Sequence, residues 1–239
     1  MEAGSPMTAF TGFSPQAPAF LADLAANNET AWFNARKDDY RDLIQTPLRR
    51  LFVAVAPAML EIDPRFDDNP MGGAVSRIRR DTRFSRDKSP YRVKQWMSFR
   101  RAGEGWQDRP AFFLAFGPGG YRYGMGFYAA SPATMTAIRA AIAARPTPFA
   151  EAMAAAEDAG FVLEGEAYRR SRLPKGMDGS LPAPLQPWFG LKSGHLRRER
   201  PMEPLFFSPD LAAELTSRLA RLAPLYHLLS AQSVRTAPP

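Results

Sequence analysis

Arg77, Arg79, Arg80, Asp81, Arg83, Arg86, Asp87, Lys88 and Tyr91 all fall in one stretch, Arg77-Ile78-Arg79-Arg80-Asp81-Thr82-Arg83-Phe84-Ser85-Arg86-Asp87-Lys88-Ser89-Pro90-Tyr91. Guanidinium forks present paired donors that match phosphate or carboxylate oxygens. Two carboxylates among them, Asp81 and Asp87, can orient those forks or hold a divalent ion beside a phosphate. A catalytic version uses Asp81 or Asp87 as base or metal ligand and Lys88 as a charge stabiliser. If the stretch is extended, Arg77, Arg79, Asp81 and Arg83 share one face, with Arg80 and Thr82 on the other.

Three readings of these residues compete. In the first, Arg80, Asp81, Arg83, Asp87 and Lys88 form an internal ion-pair network that fixes a loop, joined by Arg36 and Tyr40 from a helix; such networks specify geometry while adding little net stability. In the second, Arg77, Arg80, Arg83, Lys88 and Tyr91 bind an anionic small molecule, with Arg36 and Tyr40 behind them. In the third, the basic groups contact nucleic-acid phosphates while Phe84, Tyr91, Trp96 and Phe99 stack on bases. No recognised nucleic-acid motif accompanies them, which ranks this reading last. No cofactor is evident. Magnesium would have only Asp81 and Asp87 as ligands here.

The stretch resembles the signature of the family called domain of unknown function 2461: Arg, two residues, Arg-Asp, one residue, Arg-Phe, two residues, Asp or Asn, Lys, two residues, Tyr. Arg77, Arg80, Asp81, Arg83, Phe84, Asp87, Lys88 and Tyr91 match it throughout. Asn27-Asn28, Trp32-Phe33, Arg36 and Tyr40 resemble the family's N-terminal block, and Gly124-Met125-Gly126-Phe127-Tyr128 with Arg139 its central block. The resemblance runs from about Phe10 to Leu229. It implies no catalytic role, and it keeps Asn28 among the candidate site residues.

The chain carries 31 Lys+Arg and 24 Asp+Glu over 239 residues, a formal net charge of +7. Residues 77–101 hold ten basic and two acidic groups, so this window alone exceeds the whole surplus. The absence of cysteine removes disulfides, thiolate chemistry and thiolate metal sites. With only two histidines, His195 and His227, neither a histidine-rich metal site nor a Ser-His-Asp triad is indicated. His195 reads as part of a solvated basic loop and His227 as a partly buried structural residue. Gly117-Pro118-Gly119-Gly120 lacks the ending of a phosphate loop and reads as a hairpin turn. Gly124 and Gly126 permit close approach of a ligand or of another backbone, but a bulge or packing against a bulky aromatic is the favoured reading. No signal peptide or membrane-spanning stretch is expected, and a soluble cytoplasmic protein is the expectation.

The elements that must position these residues follow from spacing. Ser14-Pro15, Thr46-Pro47, Ser131-Pro132, Thr147-Pro148 and Ser208-Pro209 mark helix starts. One helix is expected from Asn28 to about Ile44 and a separate one after Pro47, ending before Asp63-Pro64. Three antiparallel strands follow at 93–101, 111–116 and 121–128. Next come helices at 132–144 and 148–159, and a hairpin around Gly165 (161–164 with 166–170). A proline-rich irregular stretch covers 171–206, pinned by Trp188 and Phe189. A final helix runs from Pro209 and is kinked or divided at Pro224. The expectation is an α+β fold: a central antiparallel meander packed by N-terminal, middle and C-terminal helices. It forms a single domain over 10–232, with flexible ends at 1–9 and 233–239.

Overall fold

The computed structural model describes residues 9–83, 85–103, 105–169 and 181–233. Residues 1–8 and 234–239 of the expected flexible ends, Phe84 of the motif, Arg170 of the expected hairpin and 171–180 of the proline-rich stretch lie outside the described residues. Among the described residues, eight helices and one five-stranded antiparallel sheet make an α+β fold.

Helix α1 (Gln16–Ala26) starts beside Ser14, whose Oγ accepts the Gln16 N–H at 3.2 Å, and buries Ala17, Phe20, Leu21 and Leu24. The single helix expected after Asn28 is divided. α2 (Thr30–Asn34) and α3 (Lys37–Tyr40) are separated at Arg36, whose φ of −126° and ψ of 21° leave the helical region. The break expected at Thr46-Pro47 does not occur. α3 continues through a π turn (Arg41–Gln45) into α4 (Thr46–Ile62). Proline lacks an N–H and crowds the carbonyl one turn back. A π turn, closed by the Thr46 N–H on the Arg41 carbonyl, widens the helix immediately before Pro47. Lys37–Ile62 is long and apolar enough to cross a bilayer by length and composition. Here α4 lays Leu48, Leu51, Phe52, Val55, Ala56 and Met59 into the core, and it packs against α7 and β1.

β1 (Gln95–Phe99), β2 (Pro110–Gly117) and β3 (Gly120–Phe127) form the expected meander, with Gly117 pairing Gly120 across Pro118-Gly119. The hairpin around Gly165 is corrected. Val162–Ala167 is one strand, β4, and it pairs with β5 (Leu191–Arg200), a segment expected to be irregular. The strand order is β1-β2-β3-β5-β4. β5 carries few apolar residues, and its neighbours admit it through glycine. A Cβ on Gly124 would run into the Leu196 carbonyl oxygen and lie 2.9 Å from Arg197 Cα. The close approach at Gly124 is therefore to another backbone. The edge strand β4 carries Glu164 and Glu166, which pair with Arg197 (2.9 Å) and Lys192 of β5. Exposed charge of this kind discourages further strand pairing.

α5 (Pro132–Ala144) is capped by Ser131, whose Oγ accepts the Thr134 N–H at 3.1 Å. Buried Asp108 accepts both hydroxyls, Ser131 Oγ and Thr134 Oγ1, at 2.8 Å each. α6 (Pro146–Asp158) ends near Gly160, which takes a left-handed φ of 81°. α7 (Leu211–Ala220) and α8 (Ala223–Ser230) are divided where Pro224 occupies the first turn of α8. Aromatic stacking joins the layers in the core: Phe13 on Phe206 at 4.6 Å and Phe52 on Phe99 at 4.4 Å. Trp188 and Phe189 are buried, as expected for a pinned segment.

The Asp63 carboxylate, 1 % exposed, lies at the end of α4. It accepts from Arg101 Nε at 2.7 Å, Arg65 Nε at 2.9 Å and the Tyr226 hydroxyl at 2.5 Å. Burial pushes its pKa up, but the hydrogen bonds from Arg65, Tyr226 and Arg101 together hold it well below the usual carboxylate range.

Candidate functional site

The motif is not an extended strand with alternating faces. Its ends pair while its middle loops out. Arg79 bridges Tyr91, the Arg80 N–H donates to the Pro90 carbonyl (2.9 Å), and the Arg92 N–H donates to the Ile78 carbonyl (2.8 Å). Asn28 clamps this closure: its Oδ1 accepts the Tyr91 N–H and its Nδ2 donates to the Tyr91 carbonyl, both at 3.0 Å. Asn28 therefore acts across the chain rather than as a helix cap. The Tyr91 ring is buried, stacks on Phe33 at 4.2 Å, and has the Arg79 guanidinium over it at 5.5 Å. Its hydroxyl is buried without a hydrogen-bond partner among the described residues. Asn28→Ala removes both clamp bonds and strands two backbone groups. We expect a loss of about 1–3 kcal/mol, read as a lower urea midpoint, with faster amide exchange at Tyr91 and Arg80.

Within the loop the charges answer one another. Arg80 pairs with Asp87, and Asp87 also accepts Ser89 N–H (2.9 Å) and Ser89 Oγ–H (2.6 Å). Arg83 holds Asp81 through Nε (3.0 Å) and Nη2 (2.7 Å). Lys88 Nζ donates to the Thr82 carbonyl at 2.9 Å. Hydrogen bonds from the Arg83 side chain and backbone bring the Asp81 carboxyl down to about 2. Hydrogen bonds from Ser89, then the Arg80 guanidinium, hold Asp87 well below the usual range. Carboxylates this acidic are ionised at neutral pH and are poor proton acceptors, so their chemistry suits orientation better than general base work. Among the described residues no group of three or more His, Asp or Glu side chains is arranged to hold a metal ion.

Of the two helical candidates, Arg36 is exposed and lies over the Trp32 ring at 4.5 Å, with Nη1 on the Trp32 carbonyl. Among the described residues it pairs with none of the motif's charges. Tyr40 is buried and donates to Gln95 Oε1 at 3.3 Å. Burial pushes its pKa up to about 12, against the pull of the nearby Arg49 cation.

Tyr40 instead borders a cleft of about 440 Å³ between α3–α4 and residues 70–79. The motif contributes Arg77 and Arg79 to this cleft, and the helix contributes Lys37, Arg41 and Arg49. Ser76 Oγ donates to the same Gln95 oxygen at 3.0 Å, so Tyr40 and Ser76, which line the cleft, share a fully buried partner behind it. Asp38 is the one carboxylate in the lining; with Asp42 it is engaged by Arg41, at 2.6 and 2.9 Å. Lys37, Arg49, Arg77 and Arg79 have no carboxylate within ion-pair distance among the described residues. Arg49 Nε is buried and has no acceptor among the described residues.

Arg80 faces a second cleft of about 410 Å³ with Asn28, Asp87, Ser89, Arg92, Lys94 and Trp96. The sequence candidates therefore divide. Arg77 and Tyr40 meet in the first cleft, Arg80, Asp87 and Tyr91 border the second, and Arg83 pairs with Asp81 in the exposed part of the loop. Sequence reasoning missed Arg49 and Asp63. Arg49 lies between core positions Leu48 and Leu51, and its spacing from Tyr40 carried no signal because the π turn intervenes. His195 is half-buried on β5, not in a loop, and burial, then Arg197, lowers its pKa. His227 is exposed rather than partly buried.

A family model described as conserved hypothetical protein (DUF2461) matches residues 16–228. No curated protein matches the chain.

Proposed function

Because this chain belongs to the family of conserved hypothetical proteins (DUF2461), a membership that carries no activity with it, we propose its function from geometry: binding of a phosphate- or carboxylate-bearing small molecule in the α3–α4 cleft. The observation that carries this reading is Arg49. A guanidinium Nε taken out of water without an acceptor is costly, and Arg49 lines a cleft in which Lys37, Arg77 and Arg79 are also without carboxylate partners among the described residues. An anion in the cleft supplies what all four lack. The cleft volume falls within the usual range for small-molecule sites.

Thermal unfolding with phosphate, pyrophosphate, nucleoside monophosphates and dicarboxylates, with and without magnesium, tests the proposal. A ligand at a hundredfold its Kd stabilises by about 2.7 kcal/mol. The expected result is a saturable rise in Tm for one anion class that is lost in Arg49→Met. No rise with any of these anions, or a full rise in Arg49→Met, overturns the reading. A second reading has its own support, and it concerns the loop rather than the cleft. Arg80 with Asp87, and Arg83 with Asp81, consume both motif carboxylates, which suits a structural network at residues 80–89.

A further inference from the structure

Two further clefts carry cations beyond the helix cleft. Arg79 lines the helix cleft and Arg80 the second, one residue apart on either side of the Arg79–Tyr91 bridge. Lys94 lines both the second and a third cleft of about 480 Å³, built where β1 begins, β2 ends at Gly117, β3 begins at Gly120 and β5 ends at Arg200. The third cleft adds Arg122 and Arg200.

Taken together, the three linings hold ten cations (Lys37, Arg41, Arg49, Arg77, Arg79, Arg80, Arg92, Lys94, Arg122 and Arg200) against three carboxylates, Asp38, Asp87 and Glu199. The difference, +7, equals the formal excess of the whole chain. Only Arg41, Arg80 and Arg200 are ion-paired; the other seven cations have no carboxylate within ion-pair distance among the described residues. At the sheet end alone, three inter-strand steps separate β1 from β5, about 14 Å. A small anion fills one cleft and leaves the rest of this belt unanswered.

We infer that the belt is a binding surface for a single-stranded nucleic acid, whose backbone would cross all three clefts. Charge alone fits any polyanion, and the aromatic content of the belt decides between them. Trp96, half-exposed, lines the middle cleft, and the Arg92 guanidinium lies over its ring at 4.9 Å. An aromatic face beside a basic track is what unpaired bases stack on. Reading the bases of a duplex needs a helix or ribbon in the major groove, and the belt is made of clefts beside an aromatic ring. This goes beyond the small-anion reading, and Arg122, remote from the helix cleft, separates the two.

The test is fluorescence anisotropy with labelled single-stranded oligonucleotides of 4, 8 and 16 nucleotides and duplex DNA, with heparin as the competing polyanion. Affinity is expected to rise from the 4-mer to the longer strands, to fall with salt as counterions are released, and to exceed duplex affinity. Arg122→Ala with Lys94→Ala should weaken the 16-mer about tenfold or more, and Trp96→Ala should do so with less change in salt slope. Thermal stabilisation by the small anions should be unchanged in Arg122→Ala. Affinity that does not depend on length, equal binding of the duplex, displacement by heparin with no preference for nucleic acid, or an unaltered Kd in the double variant each overturns the inference. If Arg49→Met abolishes the small-anion shift while oligonucleotides fail to bind, only the inference falls. If oligonucleotides bind in the absence of any small-anion shift, only the earlier proposal falls.

Discussion

Asp63→Asn is expected to destabilise the protein by about 3–5 kcal/mol, the range for breaking a buried ion pair from one side. The amide removes the charge that answers Arg101, whose side chain is only 15 % exposed. It also places an NH₂ group where Arg65, Arg101 and Tyr226 all donate to Asp63. The effect ties together distant parts of the chain: the end of α4, the segment after β1, and α8. Urea unfolding measures it. Arg65→Ala provides the contrast, because that side chain is 67 % exposed and such surface pairs contribute at most about 1 kcal/mol. The pH dependence has a definite sign. The folded Asp63 carboxyl is depressed below the ordinary aspartate value of 3.8, so its stabilisation is present above that value. It is lost as pH falls below that value towards the folded one, because the unfolded chain takes up the proton first. Wild-type stability should therefore fall more steeply below about pH 4 than that of Asp63→Asn. Parallel acid limbs for the two proteins would show that Asp63 is not the linked group.

The second large effect is Gly124→Ala. The added methyl meets the Leu196 carbonyl and the Arg197 Cα, both backbone atoms of β5, so no side-chain rotation relieves it. Separating β3 from β5 is the only escape, and it disturbs the centre of the sheet. We expect a loss near the upper end of the overpacking range, about 3 kcal/mol, with amide protection reduced along Leu191–Arg200. Gly119→Ala is the matched control. A Cβ there meets nothing within 4 Å, and stability should change by less than about 0.5 kcal/mol. Equal losses at the two positions would contradict the β3–β5 register.

Much of this fold was legible from period and punctuation. Met97 and Phe99 alternate with Trp96 and Ser98, and the Gly117-Pro118-Gly119-Gly120 turn fixes the meander. Ser131-Pro132 opens α5 at its first turn. β5 was illegible because its sequence, Leu-Lys-Ser-Gly-His-Leu-Arg-Arg-Glu-Arg, reads as a solvated loop. Its strand character comes from two partners, and Gly124 and Gly165 make room for it. The site was legible in part. Residue types marked 77–91 as charged, and Arg77 does line a cleft with Tyr40. Which charges face each other depends on the loop closing at Arg79 and Tyr91, and that closure is made by Asn28, 63 residues away. No local pattern encodes a contact at that separation.

The π turn at Arg41–Gln45 has a consequence for rotational phase. Tyr40 and Arg49 are nine residues apart, and at about 100° per residue an uninterrupted α-helix would set them on opposite sides, about 180° from one another. A π turn takes up about one extra residue, which leaves roughly 80° between them, and both reach the same cleft. The turn that accommodates Pro47 is thus also the element that aims Arg49. Pro47→Ala, which frees 41–45 to wind as ordinary α-helix with every residue kept, should give a straighter helix that still buries Leu48, Leu51 and Phe52 while rotating Lys37 and Tyr40 away from Arg49. The wall of the cleft would then be dismantled by a change in angle alone, with every cation still in the chain.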